Sequence, residues 1–250
     1  MSADILVAQG VGVQFGSFKA LDGVDLRVRK GTVHSLIGPN GAGKTTLFNA
    51  LCGMAKLSKG TVHLDGVRVD RVPVARRARM GVSRSFQITN LFFDVDVREN
   101  VRLAYQATRG LKCFDFISNC AKQREVHERV DQLLDWAGLT SKSTSLAGEL
   151  SHGEQRRLEM ALAVASEPSV LFLDEPTAGM GAEDIGFAKR LISSLSKERG
   201  MTIVLIEHNM SIVMDISDTI TVLQLGQKIA EGKPATIKQD PRVRAAYLGE

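Results

Sequence analysis

The chain has 250 residues, 44% hydrophobic and 24% charged, with a net charge of +4. These are globular proportions that exclude a disordered or low-complexity polymer, and the length suits one domain with a smaller inserted part. No apolar run approaches the ~18 residues that span a bilayer, and the first residues lack the basic start and apolar stretch of a signal peptide, so a soluble, cytosolic chain is expected.

Residues 5–8 and 24–28 read as short strands, the second alternating apolar and polar. The apolar run 33–37 reads as another strand, and residues 46–51 as a helix. Between them stand Gly38, Pro39, Asn40, Gly41, Ala42, Gly43, Lys44 and Thr45, which match G-x-x-x-x-G-K-[ST] in the strand, loop and helix setting that the motif requires. The glycines let the backbone aim N–H groups inward, and the helix start adds partial positive charge. Lys44 is placed to reach the β- and γ-phosphates, and the Thr45 hydroxyl to ligate Mg2+.

Residues 61–64 and 67–69 flank Asp65-Gly66, a hairpin signal of type I′. Antiparallel strands are therefore expected around the nucleotide strand. Arg76, Arg77, Arg79 and Arg84 carry part of the basic excess and read as a solvated face. Cys52, Cys113 and Cys120 form no C-x-x-C pair and read as buried free thiols.

From about 92 to 165 the pattern turns helical. Val126, Val130, Leu133, Leu134 and Ala137 make one apolar stripe, Gly138 stops it, and residues 109–112 read as a connection. Ser151 and Glu154 form an S-x-x-E capping box at the start of a further helix. After Pro168 come two buried-strand runs, 170–173 and 203–206, with the helical stripe of Ile185, Ala188, Leu191, Ile192 and Leu195 between them. Each strand ends in acid, at Asp174-Glu175 and at Glu207. Asp174 at a carboxyl edge can hold Mg2+, and Glu175 can act as general base or orient the attacking water.

These motifs, in this order, resemble the ATP-binding subunits of ABC transporters, whose signature segment is similar to Leu150, Ser151, His152, Gly153, Glu154 and Gln155. The resemblance covers nearly the whole chain. It implies an α/β fold: a P-loop NTPase core with an antiparallel β subdomain (1–91 and 166–250 together) and an inserted helical subdomain (92–165). It also implies that Phe15 stacks on adenine, that Thr46 joins the phosphate contacts, that Gln87 meets Mg2+ and water, and that His208 touches the γ-phosphate. Ser151 and Gly153 would grip the ATP held by a second ATP-binding subunit. His152 and Glu154 depart from L-S-G-G-Q, and Gly181 stands where many relatives carry aspartate.

The same resemblance implies an ATPase that uses ATP and Mg2+, docked peripherally on the cytoplasmic face of the cell membrane. Its partners would be transmembrane permease subunits and, in a complete importer, an extracytoplasmic solute-binding protein, with no nucleic acid. The segments around 150–155 and 176–181 and the terminal Ala-Tyr-Leu-Gly look most like importers for branched-chain amino acids, with urea and amide importers as close rivals. Two other classes stay open at this point. One is a soluble ABC ATPase acting on nucleic acid or ribosomes, which commonly carries two cassettes or a long coiled-coil insertion. The other is a small-molecule kinase, which needs no signature segment.

Overall fold

The computed structural model describes residues 3–84, 91–108 and 120–248. Contacts divide the chain into two units, one of residues 1–84, 169–175 and 192–250, the other of residues 85–168 and 176–191.

The first unit holds two sheets. Strands β1 (Asp4–Phe15) and β2 (Phe18–Arg29) pair antiparallel across the turn at Gly16-Ser17. Each is 12 residues long, well beyond the short segments expected from local alternation. After β3 (Val33–Ile37) and helix α1 (Lys44–Cys52), the hairpin β4 (Lys59–Leu64) and β5 (Val67–Arg68) completes a four-stranded sheet in the order β2-β1-β4-β5. Asp65 and Gly66 both have positive φ, 46° and 76°, as a type I′ turn requires.

Helix α2 (Val74–Arg79) leads into β6 (Val82–Arg84), and the second sheet runs β10-β9-β3-β8-β7-β6. It contains β7 (Val170–Asp174), β8 (Thr202–Ile206), β9 (Thr219–Gln224) and β10 (Gln227–Gly232). All five residues of β3, β7 and β8 are buried, which is why these strands read as continuous apolar runs. The expectation of antiparallel strands around β3 is corrected. Its neighbours are β8 and β9, both parallel to it, and the hairpins form a sheet of their own. Local turn chemistry identifies a hairpin but does not say which sheet it joins.

Phe48 of α1 meets Phe172 of β7 edge to face at 5.1 Å, within a core cluster that also takes Leu36, Leu47, Val204 and Ile206. Cys52 belongs to that cluster, and burial pushes its thiol up to about 12. Cys113 and the side chain of Cys120 lie outside the described residues.

The reading of the arginine run as a solvated face holds for Arg76 and Arg79, which are exposed, and is corrected for Arg77 and Arg84. Arg77 is 2% exposed. Its guanidinium donates to the carbonyls of Leu51 (2.7 Å) and Ala50 (3.3 Å) at the C-terminal end of α1, and to that of Val72 (3.0 Å) just before α2. Gly53, at φ 86°, makes room for it; a Cβ there would lie 2.6 Å from Arg77 Nε. Arg84 is likewise withdrawn from solvent and pairs with Asp174.

In the second unit, α3 (Val97–Thr108) packs on α4 (Cys120–Trp136) and on α5 (His152–Ala165), and α6 (Ala182–Lys197) has residues in both units. The stripe positions within α4, and Ala137 just after it, are all buried, and Gly138 at φ 64° turns the chain out of the helix. Asn100 anchors the segment before α3: its Oδ1 accepts from Phe92 N and its Nδ2 donates to the carbonyls of Phe92 and Asp96. Residues 109–112, expected as a connection, lie outside the described residues.

Candidate functional site

Strand β3 ends in the glycine loop, whose conformation only glycine allows at two points. A Cβ on Gly38 would overlap the carbonyl oxygen of Leu223, and one on Gly43, at φ 96°, would lie 2.9 Å from that of Ala20. Gly43 caps α1 without any side-chain hydrogen bond, and the first turn of α1 has no acidic residue. Its N–H groups therefore stay open to an anion. Ala42 bonds back to Pro39 O at 3.1 Å and accepts from Gly226 N at 3.0 Å, which holds the loop against the start of β10.

Lys44 is 6% exposed and folds over the loop, donating to Gly38 O (2.7 Å) and Pro39 O (3.0 Å). Burial lowers its pKa, while the charges of Glu175 and Asp174 pull it back up. The ammonium is thus held by two neutral carbonyls that a phosphate oxygen outcompetes as a charge-assisted acceptor. Thr45 is exposed and Thr46 half-buried just beyond it.

Asp174 ends β7 with its side chain fully buried. Its Oδ2 accepts from Arg84 Nη2 at 3.0 Å, and its Oδ1 has no hydrogen-bond partner. Burial raises its pKa, and Arg84 acts against that shift. An orphaned buried carboxylate oxygen fits a cation or its water. Among the described residues no three His, Cys, Asp or Glu side chains converge as a metal site, so a divalent cation here needs phosphate oxygens to complete its shell.

Glu175 follows at φ 50°, a conformation strained for a non-glycine residue, with its N–H donating to Ile206 O at 2.9 Å. Its Oε1 lies 2.5 Å from His208 Nε2. His208 is set between the end of β8 and α7 (Met210–Ile216): Glu207 Oε2 accepts from its N–H at 3.0 Å, and Asn209 Oδ1 caps α7 through Ser211 N and Ile212 N. Phe15, 59% exposed at the end of β1, offers a free ring face.

The first unit therefore brings together the glycine loop, Asp174, Glu175 and His208 and carries Phe15. Ser151 and Gly153 belong to the second unit. Ser151 caps α5: its Oγ accepts from Glu154 N at 3.3 Å, and Glu154 Oε2 accepts from Ser151 N at 2.8 Å. Gly153 lies tight against Asp184, whose carboxylate would overlap a Cβ there. His152 packs within 3.3 Å of the Cβ position of Gly179. Gln87 lies outside the described residues. Sequence reasoning missed Arg84 as a site residue; an arginine ending a strand before the Ser-Phe-Gln segment was the available signal.

A phosphate loop at the carboxyl edge of a parallel sheet, a buried aspartate and a neighbouring glutamate paired with a histidine define a P-loop nucleotide-hydrolysing protein. The family profile described as ABC transporter matches residues 21–178, and one described as branched-chain amino acid ATP-binding cassette transporter matches residues 227–250. The chain is 40% identical to the high-affinity branched-chain amino acid transport ATP-binding protein BraF of Pseudomonas aeruginosa, with all of both chains covered. It is 38% identical to the corresponding protein LivG of Escherichia coli K12, again with full coverage of both. A crystal structure of an ABC transporter cassette in its ADP conformation aligns with a TM-score of 0.84 at 29% identity over 100% of each chain. The chain belongs to the ATP-binding proteins of ABC transporters, and its activity is ATP hydrolysis.

Proposed function

We propose that this cassette powers the import of branched-chain amino acids, coupling ATP-driven closure of a cassette dimer to transmembrane permease subunits. The observation that carries the reading is full-length identity of 38–40% to two cassettes named for that transport, together with the match of residues 227–250 to the branched-chain profile. Among the described residues no helix is long and apolar enough to cross a membrane, so translocation needs partner subunits. The cassette would sit on the cytoplasmic face of the membrane, supplied by an extracytoplasmic solute-binding protein.

In the proposed cycle the open amides at the start of α1 and Lys44 hold the phosphates, and Phe15 stacks on adenine. Mg2+, when bound with ATP, would be held through Thr45, Asp174 Oδ1 and Gln87 and would neutralise charge on the phosphates. Glu175 takes the proton of the attacking water, and His208, at 2.5 Å, orients that carboxylate and reaches the γ-phosphate. Ser151 and Gly153 close over the ATP of the partner subunit. Closure is driven by tighter ATP binding in the closed state than in the open one.

The test is to purify the chain with its membrane partners, reconstitute the complex, and assay ATPase with candidate cargo and binding protein. Stimulation by leucine, isoleucine or valine supports the reading. Stimulation by urea or short amides alone moves the cargo to that branch, and recovery with nucleic acid or ribosomal proteins overturns a transport role.

A further inference from the structure

The basic side chain nearest to Asp174 is one that neither the phosphate loop nor the signature segment accounts for. Arg84 ends β6 with 12% of its side chain exposed and is gripped from several sides. Its Nη2 donates to Asp174 Oδ2 at 3.0 Å, while its Nη1 lies 2.5 Å from Asn49 Oδ1 and 2.7 Å from Met54 Sδ. Its guanidinium carbon stands 4.9 Å from the centroid of Phe48. Phe48 and Asn49 both belong to α1, the helix that the phosphate loop starts. The guanidinium thus bridges α1 and β7 from β6, and Oδ1 of Asp174 is left alone.

A buried ion pair adds little net stability over an apolar pair of the same shape, but breaking it strands a charge in the interior. Apolar packing at this position would be cheaper if nothing beyond packing were required. A carboxylate that must receive a divalent cation and must also stay folded when that cation has left needs a resident counter-ion.

We propose that Arg84 is that counter-ion and a positioning residue: it holds Asp174 through Oδ2, keeps the empty site assembled, and reserves Oδ1 for the nucleotide's divalent cation. The inference rests on the proposed role of Asp174 toward Mg2+. It predicts that the stability of the site depends on divalent cation once Arg84 is gone.

The test uses the full chain and compares melting temperatures of wild type, Arg84→Met, Arg84→Lys and Asp174→Asn in EDTA, in ADP with EDTA, and in ADP with Mg2+. Arg84→Met is expected to melt about 5–15 °C below wild type in EDTA. More than half of that gap should close with ADP and Mg2+, and almost none with ADP and EDTA. Arg84→Lys, which keeps the charge without the fork, should fall between. In an Asp174→Asn background, which has no charge to strand, Arg84→Met should cost only a small part of the original gap, and this arm holds if the single variant does not fold. A gap of equal size in all three media, persisting in the Asp174→Asn background, would make Arg84 a packing residue and overturn the inference. Separately, ADP affinity with and without Mg2+ is compared in wild type and Asp174→Asn: an Mg2+ enhancement that is unchanged in the variant overturns the role of Asp174 itself.

Discussion

Two helix starts in this chain share the theme of a small residue before a turn of open amides, and they are built in opposite ways. Helix α1 starts at Gly43 with no side-chain cap and no acid in its first turn, and Lys44 lies folded over the loop. Helix α5 starts at Ser151 with both arms of a capping box closed by Glu154, and Asp184 lies against Gly153. The first leaves its orphan amides for an anion. The second satisfies two groups with its own side chains, and it has an acid beside it. The phosphate loop is thus an anion site within a single chain, whereas the signature segment is first a stable helix start. In the proposed dimer, a phosphate brought by a second subunit would meet it as an additional partner.

The opposition between the two helix starts is probed most severely at the chemistry. Glu175→Gln should leave ATP affinity near wild type and cut turnover by about 10²–10⁴, measured by phosphate release beside equilibrium binding. Hydrolysis at the wild-type rate would remove Glu175 from its role. Lys44→Ala should weaken ATP binding by roughly tenfold or more, because it deletes the buried charge folded over the loop that would meet the phosphates. Titration calorimetry showing unchanged affinity would contradict the open-site reading of α1.

Within β3, the strand that leads into the loop, His34 is buried and its Nε2 meets Thr221 Oγ1 at 2.8 Å. Burial pulls its pKa from 6.5 down to about 4. Between those two values the unfolded chain binds the proton and the folded chain does not, so stability is full above about pH 6.5 and falls as pH drops toward 4. The loss should amount to roughly 3 kcal/mol. Denaturant melts between about pH 7 and 4.5 should show it, and His34→Gln should flatten the slope; an unflattened slope would assign the loss to other groups. Arg77→Met should cost about 2–3 kcal/mol, because it removes the buried guanidinium donors to Leu51 O, Ala50 O and Val72 O. Ser151→Ala, the smallest change, should cost about 1 kcal/mol as a lost cap. If its ATPase falls far more than its stability, the hydroxyl also serves the phosphate of a partner subunit.

Much of this arrangement is legible in the sequence. The run 33–37 is β3 residue for residue, Asp65-Gly66 makes its turn, and the S-x-x-E box closes as local chemistry dictates. Such features are decided within a few residues. Arg77 and Arg84 read wrongly because their partners, Leu51 and Asp174, lie 26 and 90 positions away, and an arginine run on its own looks solvated. The parallel neighbours of β3 escape the sequence for the same reason: pairing with β8 and β9 is settled across the chain and not by the hairpins nearest in sequence. The pairing of His208 with Glu175 needs the left-handed turn at Glu175, which has no composition signal in a non-glycine residue; only the Asn209 cap that follows His208 is a helix start a sequence can offer.

Whether α1 is an open anion site and α5 a self-capped one is decided by amide hydrogen exchange on dilute chain with ADP and Mg2+. Protection is expected at the amides of residues 41–46 with no change at residues 152–155, where it should arise only with ATP in Glu175→Gln at concentrations that form a dimer. Protection at residues 152–155 by ADP in the monomer, or none at residues 41–46, would contradict that division of labour.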